Sequence, residues 1–534
     1  MTEPQAEDEQ ENLTAVIAVV DESNSADVPN LKGDWHNIFV LILLYTMQGI
    51  GTSLTTGVPI ILQANKNVTY KDQALISMAT WPFSLKMMWA PLVDAIYIQK
   101  VGRRKSWLLP VQFLIGGCFI YMGINIEDWI ATNRGKPNIL KLFYPILFVQ
   151  ALIATQFIVI DSWVLTMLKK NNLGYGPSCT LIGVPFGALI GSLFLVGFTS
   201  ENFCNKYLRF TPDTGGITTM PGFFYFCGFL FIVTSILIGI FKKEKYNSLE
   251  NTYMKLNIIQ YYTVVWEILK LPSIRVLASA LITVEIGFSS SIINVWILQL
   301  IDAGVSKDNV LVIHSSMIIV RVIAPIIISK YTAGPKTMSV YLKMSPIRAM
   351  WNITFVIFIY YTTKFITTNG KIGFPIYFYV IIVFLFIINH ILGMTMRSAK
   401  FTLFNRISDP RFGGTYMALL NTFSNIGISS STSLAISMID FLTFKECSLN
   451  YDNNCSTSSP NNTCKTNGRS CIVTVNGYYV ESALCILFGI GWYYIFRGIL
   501  KKLQVKNPSH WMVNVKNNKV KKNKTAEHTM VENS

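Results

Sequence analysis

Twelve apolar runs organise this chain. They lie at about 37–62, 73–98, 107–125, 142–167, 173–199, 222–241, 273–300, 309–330, 347–367, 373–396, 413–440 and 478–500. Each is near or above the ~20 residues that a helix needs to cross the hydrocarbon core of a bilayer. None alternates strictly between apolar and polar positions, so the pattern predicts membrane helices and not barrel strands. The longest polar connection between runs on one side, residues 242–272, separates six runs from six. Its second half has apolar residues at helical spacing (Ile258, Tyr262, Val265, Trp266, Leu269), which predicts a helix lying in the membrane interface. The organisation expected is a tail over 1–35, a six-helix half over 36–241, a linker over 242–272, a second six-helix half over 273–500 and a tail over 501–534.

Composition agrees. Hydrophobic residues make up 51% of the 534 residues and charged ones 14%, with a mean hydropathy of +0.41. Soluble globular chains are about 25% charged. A soluble enzyme, a disordered protein and a fibrous repeat are thereby excluded. The net charge of +16 reports topology and anionic headgroups in such a chain, not nucleic acid. Loops after the even-numbered runs, with their flanks, hold 20 Lys and Arg; loops after the odd-numbered runs hold 13 over a greater length. The segment from Arg497 onward adds nine to the denser side. The denser side is the cytosolic one, so both termini are expected in the cytosol. Residues 1–34 carry nine acids and one base, Lys32, as a solvated disordered arm does, and the short run Ala15–Val20 is no signal peptide.

Of nine cysteines, Cys447, Cys455, Cys464 and Cys471 crowd the connection 441–477 between runs 11 and 12. That connection falls on the non-cytosolic side, where four clustered cysteines read as two disulfides with three pairings open. No C-x-x-C pair is present, so a zinc site is disfavoured and no metal or cofactor is expected. Sequons at Asn67 and Asn461 fall on the same side and mark glycosylation; the one at Asn352 lies inside a run and is discounted.

Asp94 closes run 2 and is followed by Gly102-Arg103-Arg104-Lys105. Together with the six-plus-six plan, this resembles the loop motif of the major facilitator superfamily. An Asp there can meet a helix N-terminus or an Arg across the seam between halves, holding one access state. Longer strings resemble one family within it. Trp81-Pro-Phe-Ser-Leu-Lys, Trp89-Ala-Pro-Leu-Val-Asp-Ala, Cys204-Asn-Lys-Tyr-Leu-Arg-Phe, Ser408-Asp-Pro, Gly413-Gly-Thr-Tyr-Met, Leu420-Asn-Thr and Lys445-Glu-Cys are similar to the acetyl-coenzyme A transporter family (solute carrier family 33 type). The resemblance spans about residues 36–500. It implies a multi-pass protein of the endoplasmic reticulum membrane that carries acetyl-CoA from cytosol to lumen. In run 4 the family typically has an acid after Thr-Gln; here Phe157 follows Gln156, and Asp161 remains.

Acetyl-CoA bears about four negative charges. A site for it needs cations, aromatic faces and a polar lane. Candidate binding residues are Lys86, Arg321, His314, Asn421 and Asn425. Arg321 sits deep in run 8 and is expected either to contact phosphate or to pair with Glu285. Asp94, Arg103 and Arg104 are candidates for gating. Asp161, Glu285 and His390 are candidates for proton coupling, with ion pairing or core hydrogen bonding as the plainer role. No P-loop lysine motif, G-x-S-x-G elbow or H-E-x-x-H is found, so no enzyme is expected. The partners expected are acetyl-CoA as cargo and the lipid bilayer; a homodimer is a further candidate. Two alternatives stay open: a facilitator for another amphipathic solute (a sugar-peptide or a lipid), and a multispan acyl-CoA-dependent acyltransferase.

Overall fold

A computed structural model describes residues 31–63, 75–76, 78–130, 138–244, 257–291, 295–296, 299–300, 305, 317–369, 374–447, 450–454, 471–506 and 508–513. Helices occupy the positions of all twelve runs. In order, spans 1 and 3–6 are Trp35–Gln63, Lys105–Ile130, Ile139–Met167, Gly176–Ser192 and Met220–Phe241. Spans 7–12 are Pro272–Val284, Ile318–Thr332, Thr337–Asn369, Ile376–Ile407, Gly413–Leu442 and Gly477–Val505. Among the described residues, eight helices are long and apolar enough to cross a membrane. Span 2 is a chain of short turns, with helices at Trp81–Leu85 and Ala90–Ala95, because Pro82 and Pro91 each restart the backbone.

Local chemistry sets the ends. Side chains of Asn138, Thr219 and Asn476 accept the first free backbone N–H groups of spans 4, 6 and 12. Gly102 turns the chain after span 2 at φ 104°, in the left-handed region. Spans 1 and 5 cross almost backbone to backbone: a Cβ on Gly187 would stand 1.9 Å from the Thr46 carbonyl, and one on Gly49 2.1 Å from that of Val184. Small residues let membrane helices approach this closely. Each half has its own packed interior, with Phe119 stacked on Phe231 at 5.6 Å in the first and Trp296 edge-on to Phe355 and Phe386 in the second. Trp296 is fully buried in that packing and is a core residue.

The structure differs from the sequence expectation in three places. Span 10 runs on to Ile407 instead of ending near 396, so Arg397 and Lys400 are helical and not in a loop. The linker helix Ile258–Lys270 buries Tyr261, Val264, Val265 and Ile268 while Ile258, Tyr262 and Trp266 stay exposed. Its apolar residues cover two faces, one packed on protein (Tyr261 edge-on to Phe412) and one turned outward. The Cys-rich connection is not wholly irregular. Strands β1 (Phe444–Cys447), β2 (Asn450–Asn454) and β3 (Cys471–Val475) form an antiparallel sheet in the order β2-β1-β3. The β-branched run Ile472-Val-Thr-Val475 accounts for β3. Asn67, His314, Cys455, Asn461 and Cys464 lie outside the described residues.

Candidate functional site

A cavity of about 470 Å³ opens between the halves. Spans 4 and 5 contribute Phe157, Thr180 and Val184; spans 7–10 contribute the charged groups. Those are Glu285, Arg321, Arg348, His390, Arg397 and Lys400. On span 10, His390, Gly393, Arg397 and Lys400 recur at intervals of three and four, which puts them on one helix face. Glu285 pairs with Arg348 at 3.7 Å, and the Arg348 guanidinium lies 4.5 Å from the Phe288 ring centroid. Arg321 Nε donates to His390 Nε2 at 3.1 Å. Lys400 donates to the Ser424 hydroxyl. Among the described residues, Arg397 makes no hydrogen bond or ion pair; its exposed side chain lines the cavity within the fields of Arg321, Arg348 and Glu285. Four formal positive charges and one negative charge therefore meet in one membrane-embedded space.

Of the two roles open to Arg321, phosphate contact or pairing with Glu285, the second is not what the structure shows: the ion-pair partner of Glu285 is Arg348. Arg348 and Arg397 lie near the ends of their apolar runs, where a cation reads as loop flank. Helix periodicity carried past residue 396 would have found Arg397 and Lys400. Arg321 is thus one of several deep cations.

A second pocket, about 210 Å³, adjoins the first and shares Phe157 and Thr180 with it. It gathers Lys86, Asp161, Asn405, Asn421 and Asn425 from spans 2, 4, 10 and 11. Asp161 accepts from the Tyr45 hydroxyl at 2.7 Å and from Asn421 Nδ2 at 3.4 Å. The Lys86 ammonium lies 5.2 Å from the Phe157 ring centroid, within the field of Asp161. Lys86 is 6% exposed, so it is held inside the protein and does not reach for the interface.

The motif after span 2 forms a third cluster. Asp94 Oδ2 accepts from the Thr415 amide at 2.7 Å and from the Thr415 hydroxyl at 2.8 Å. Thr415 stands in the first turn of span 11, so the carboxylate meets a helix N-terminus in the other half. Asp94 Oδ1 lies 3.3 Å from Arg103 of its own half. Arg104 binds Glu244 at 3.6 Å and crosses to the Pro410 carbonyl at 3.2 Å. Nearby, Thr402 and Asn405 donate to the carbonyls of Gly174 and Leu173. The halves are tied together at this end of the bundle. Asn352, whose sequon was discounted, is buried and donates to the Gly287 carbonyl.

This architecture, two six-helix halves around a central polar cavity, defines a facilitator-type membrane transporter. A solved major facilitator superfamily transporter in its outward conformation, FucP, shares the fold at a TM-score of 0.53 and 11% identity, over 88% of this chain and 99% of that one. The chain belongs to the family whose model is described as "Acetyl-coenzyme A transporter 1", which matches residues 37–256 and 246–513. An uncharacterised protein of Schizosaccharomyces pombe is 28% identical over 90% of both chains. An uncharacterised membrane protein of Saccharomyces cerevisiae is 28% identical over 88% of this chain and 95% of its own. The anhydromuropeptide permease of Escherichia coli is 27% identical over 28% of this chain and 29% of its own.

Proposed function

We propose that the protein carries acetyl-CoA across the endoplasmic reticulum membrane, from cytosol to lumen, by alternating access. The observation that carries this reading is the cation cluster: Arg321, Arg348, Arg397 and Lys400 against the single acid Glu285. Charged side chains deep in a membrane cost roughly 2.5–3.5 kcal/mol each on insertion scales. A cavity that keeps four is suited to a cargo that repays them, and a phosphate-rich anion does so through charge-assisted hydrogen bonds. Arg397, with its guanidinium turned into the cavity and no partner among the described residues, is the foremost phosphate ligand in this reading. Asp94, Arg103 and Arg104 act as the gate on the cytosolic side, opposite the sequons and the cysteines.

The local likeness to a permease named for anhydromuropeptides favours a second reading, a sugar-peptide solute. An excess of three positive charges suits a nucleotide diphosphate better than a peptide with fewer carboxylates. Uptake of labelled acetyl-CoA into proteoliposomes, competed by unlabelled CoA, tests the proposal. Arg397→Gln should fold normally and lower uptake at subsaturating substrate about tenfold or more, the loss expected for one charge-assisted contact. Absence of saturable uptake by the folded wild type would overturn the reading. Release of free CoA with an acylated product would establish the acyltransferase instead.

A further inference from the structure

The two cavities differ in charge more than in size. The larger holds four cations and one acid. The smaller holds one of each, Lys86 and Asp161, and is formally neutral. Its remaining polar groups are side-chain amides and hydroxyls: Asn405, Asn421, Asn425, Thr180 and Tyr45. Asn425 is exposed in the pocket and has no hydrogen-bond partner among the described residues. The cavities meet at Phe157 and Thr180, which line both. Phe157 is braced by Phe83, 5.6 Å away and edge-on, and by Tyr45 at 6.2 Å.

A cargo with one polyanionic end and one neutral end would be oriented by this field. The negative end gains from the cationic cavity and gains nothing from a neutral one that already contains a carboxylate. The neutral arm of an acyl-CoA consists of amides and a thioester. Side-chain amides donate to and accept from such groups without requiring a charge.

We propose that the acyl-CoA cargo is bound in one polarity, and this rests on the transport reading above. The phosphate-bearing nucleotide lies against Arg321, Arg348, Arg397 and Lys400. The thioester arm passes the Phe157–Thr180 waist into the asparagine-lined pocket. Phe157 is then a specificity-determining residue. Its braced ring stands where the two cavities meet, and the smaller volume beyond it, about 210 Å³ against 470 Å³, suits a short acyl group better than a long one. The ring stands between spans 2 and 4 under the Lys86 ammonium, where a smaller side chain would widen the way through.

Competition binding on the full chain in lipid nanodiscs tests this, with labelled acetyl-CoA as tracer. The competitors are 3′,5′-ADP (the nucleotide end alone), CoA, acetyl-CoA and octanoyl-CoA. In the wild type, 3′,5′-ADP should compete and octanoyl-CoA should bind at least about tenfold more weakly than acetyl-CoA. Arg397→Gln should weaken 3′,5′-ADP and acetyl-CoA by the same factor and leave the octanoyl-to-acetyl ratio unchanged. Phe157→Ala should shift that ratio by about tenfold towards octanoyl-CoA. Phe157→Leu supplies the same comparison where the alanine variant does not fold. An unchanged ratio in a folded Phe157 variant that still binds CoA would overturn the polarity and leave the transport reading standing. Ratio changes with Arg397→Gln would place the acyl end in the cationic cavity and overturn it as well. Failure of CoA, acetyl-CoA and 3′,5′-ADP alike to bind would remove the transport reading itself.

Discussion

Glu285 and Arg348 form the one ion pair within the cationic cavity among the described residues, and their side chains are about a tenth exposed. Removing one partner of such a pair leaves the other charge uncompensated, which costs ~3 kcal/mol or more. Arg348→Gln is therefore expected to lower the yield of monodisperse protein sharply in fluorescence-detected size exclusion. The double change Arg348→Gln with Glu285→Gln should restore it; a double variant as poor as the single one would contradict the pairing. Arg321→Gln should be milder, since Arg321 Nε donates to His390, a nitrogen acceptor and not an acid. The sequence alone left Arg321 open between contacting phosphate and pairing with Glu285. Arg321 drew attention because it sits in the middle of an apolar run. Arg348 and Arg397 did not, because each falls near the edge of one. A cation at the edge of an apolar run is consistent with both a loop and a cavity-facing turn, and only the path of the helix decides between them.

At the scale of elements, the twelve spans were legible because burial in lipid demands continuous apolar length. The β1–β2–β3 sheet was not, because a short strand outside the membrane needs no such length. The sheet does sharpen the cysteine chemistry. In its register Cys447 is the Cα partner of Cys471. Antiparallel partners stand about 4.5–5.5 Å apart, within the separation a disulfide spans. The pairing expected on this register is Cys447–Cys471. Peptide mapping of unreduced protein checks it, and a Cys447–Cys455 peptide would refute it. The linker helix shows a related limit of pattern reading. Its periodic residues mark an amphipathic helix, but two apolar faces share the turn, and docking against Phe412 selects which one is covered.

For the whole molecule, the decisive contact is the one from Asp94 to the first turn of span 11. The motif was readable, and of its two expected uses the structure selects the helix N-terminus across the seam, with Arg103 as a partner from the same half. The neutral isostere keeps an acceptor but loses the charge that the helix end favours. In the transport reading proposed above, Asp94→Asn is thus expected to change maximal transport rate several-fold while acetyl-CoA affinity stays within about threefold, because the contact ties the two halves together and Asp94 lines neither cavity. A large affinity loss at normal maximal rate would show that the contact belongs to the binding site.

The unequal charge of the larger cavity also bears on how the cycle returns. Empty, it holds like charges that repel one another, and the transmembrane voltage acts on a net charge that moves through the field, at up to about 2.3 kcal/mol per charge per 100 mV. Filled by a cargo of about four negative charges, the same cavity is close to neutral. The vacant carrier therefore travels under a penalty that the occupied one escapes. For the acyl-CoA cargo proposed above, this predicts exchange, with an outgoing anion neutralising the site for the return stroke. Vesicles preloaded with CoA should take up labelled acetyl-CoA several-fold faster than empty ones, and an inside-out difference in voltage should alter the rate in empty vesicles more than in preloaded ones.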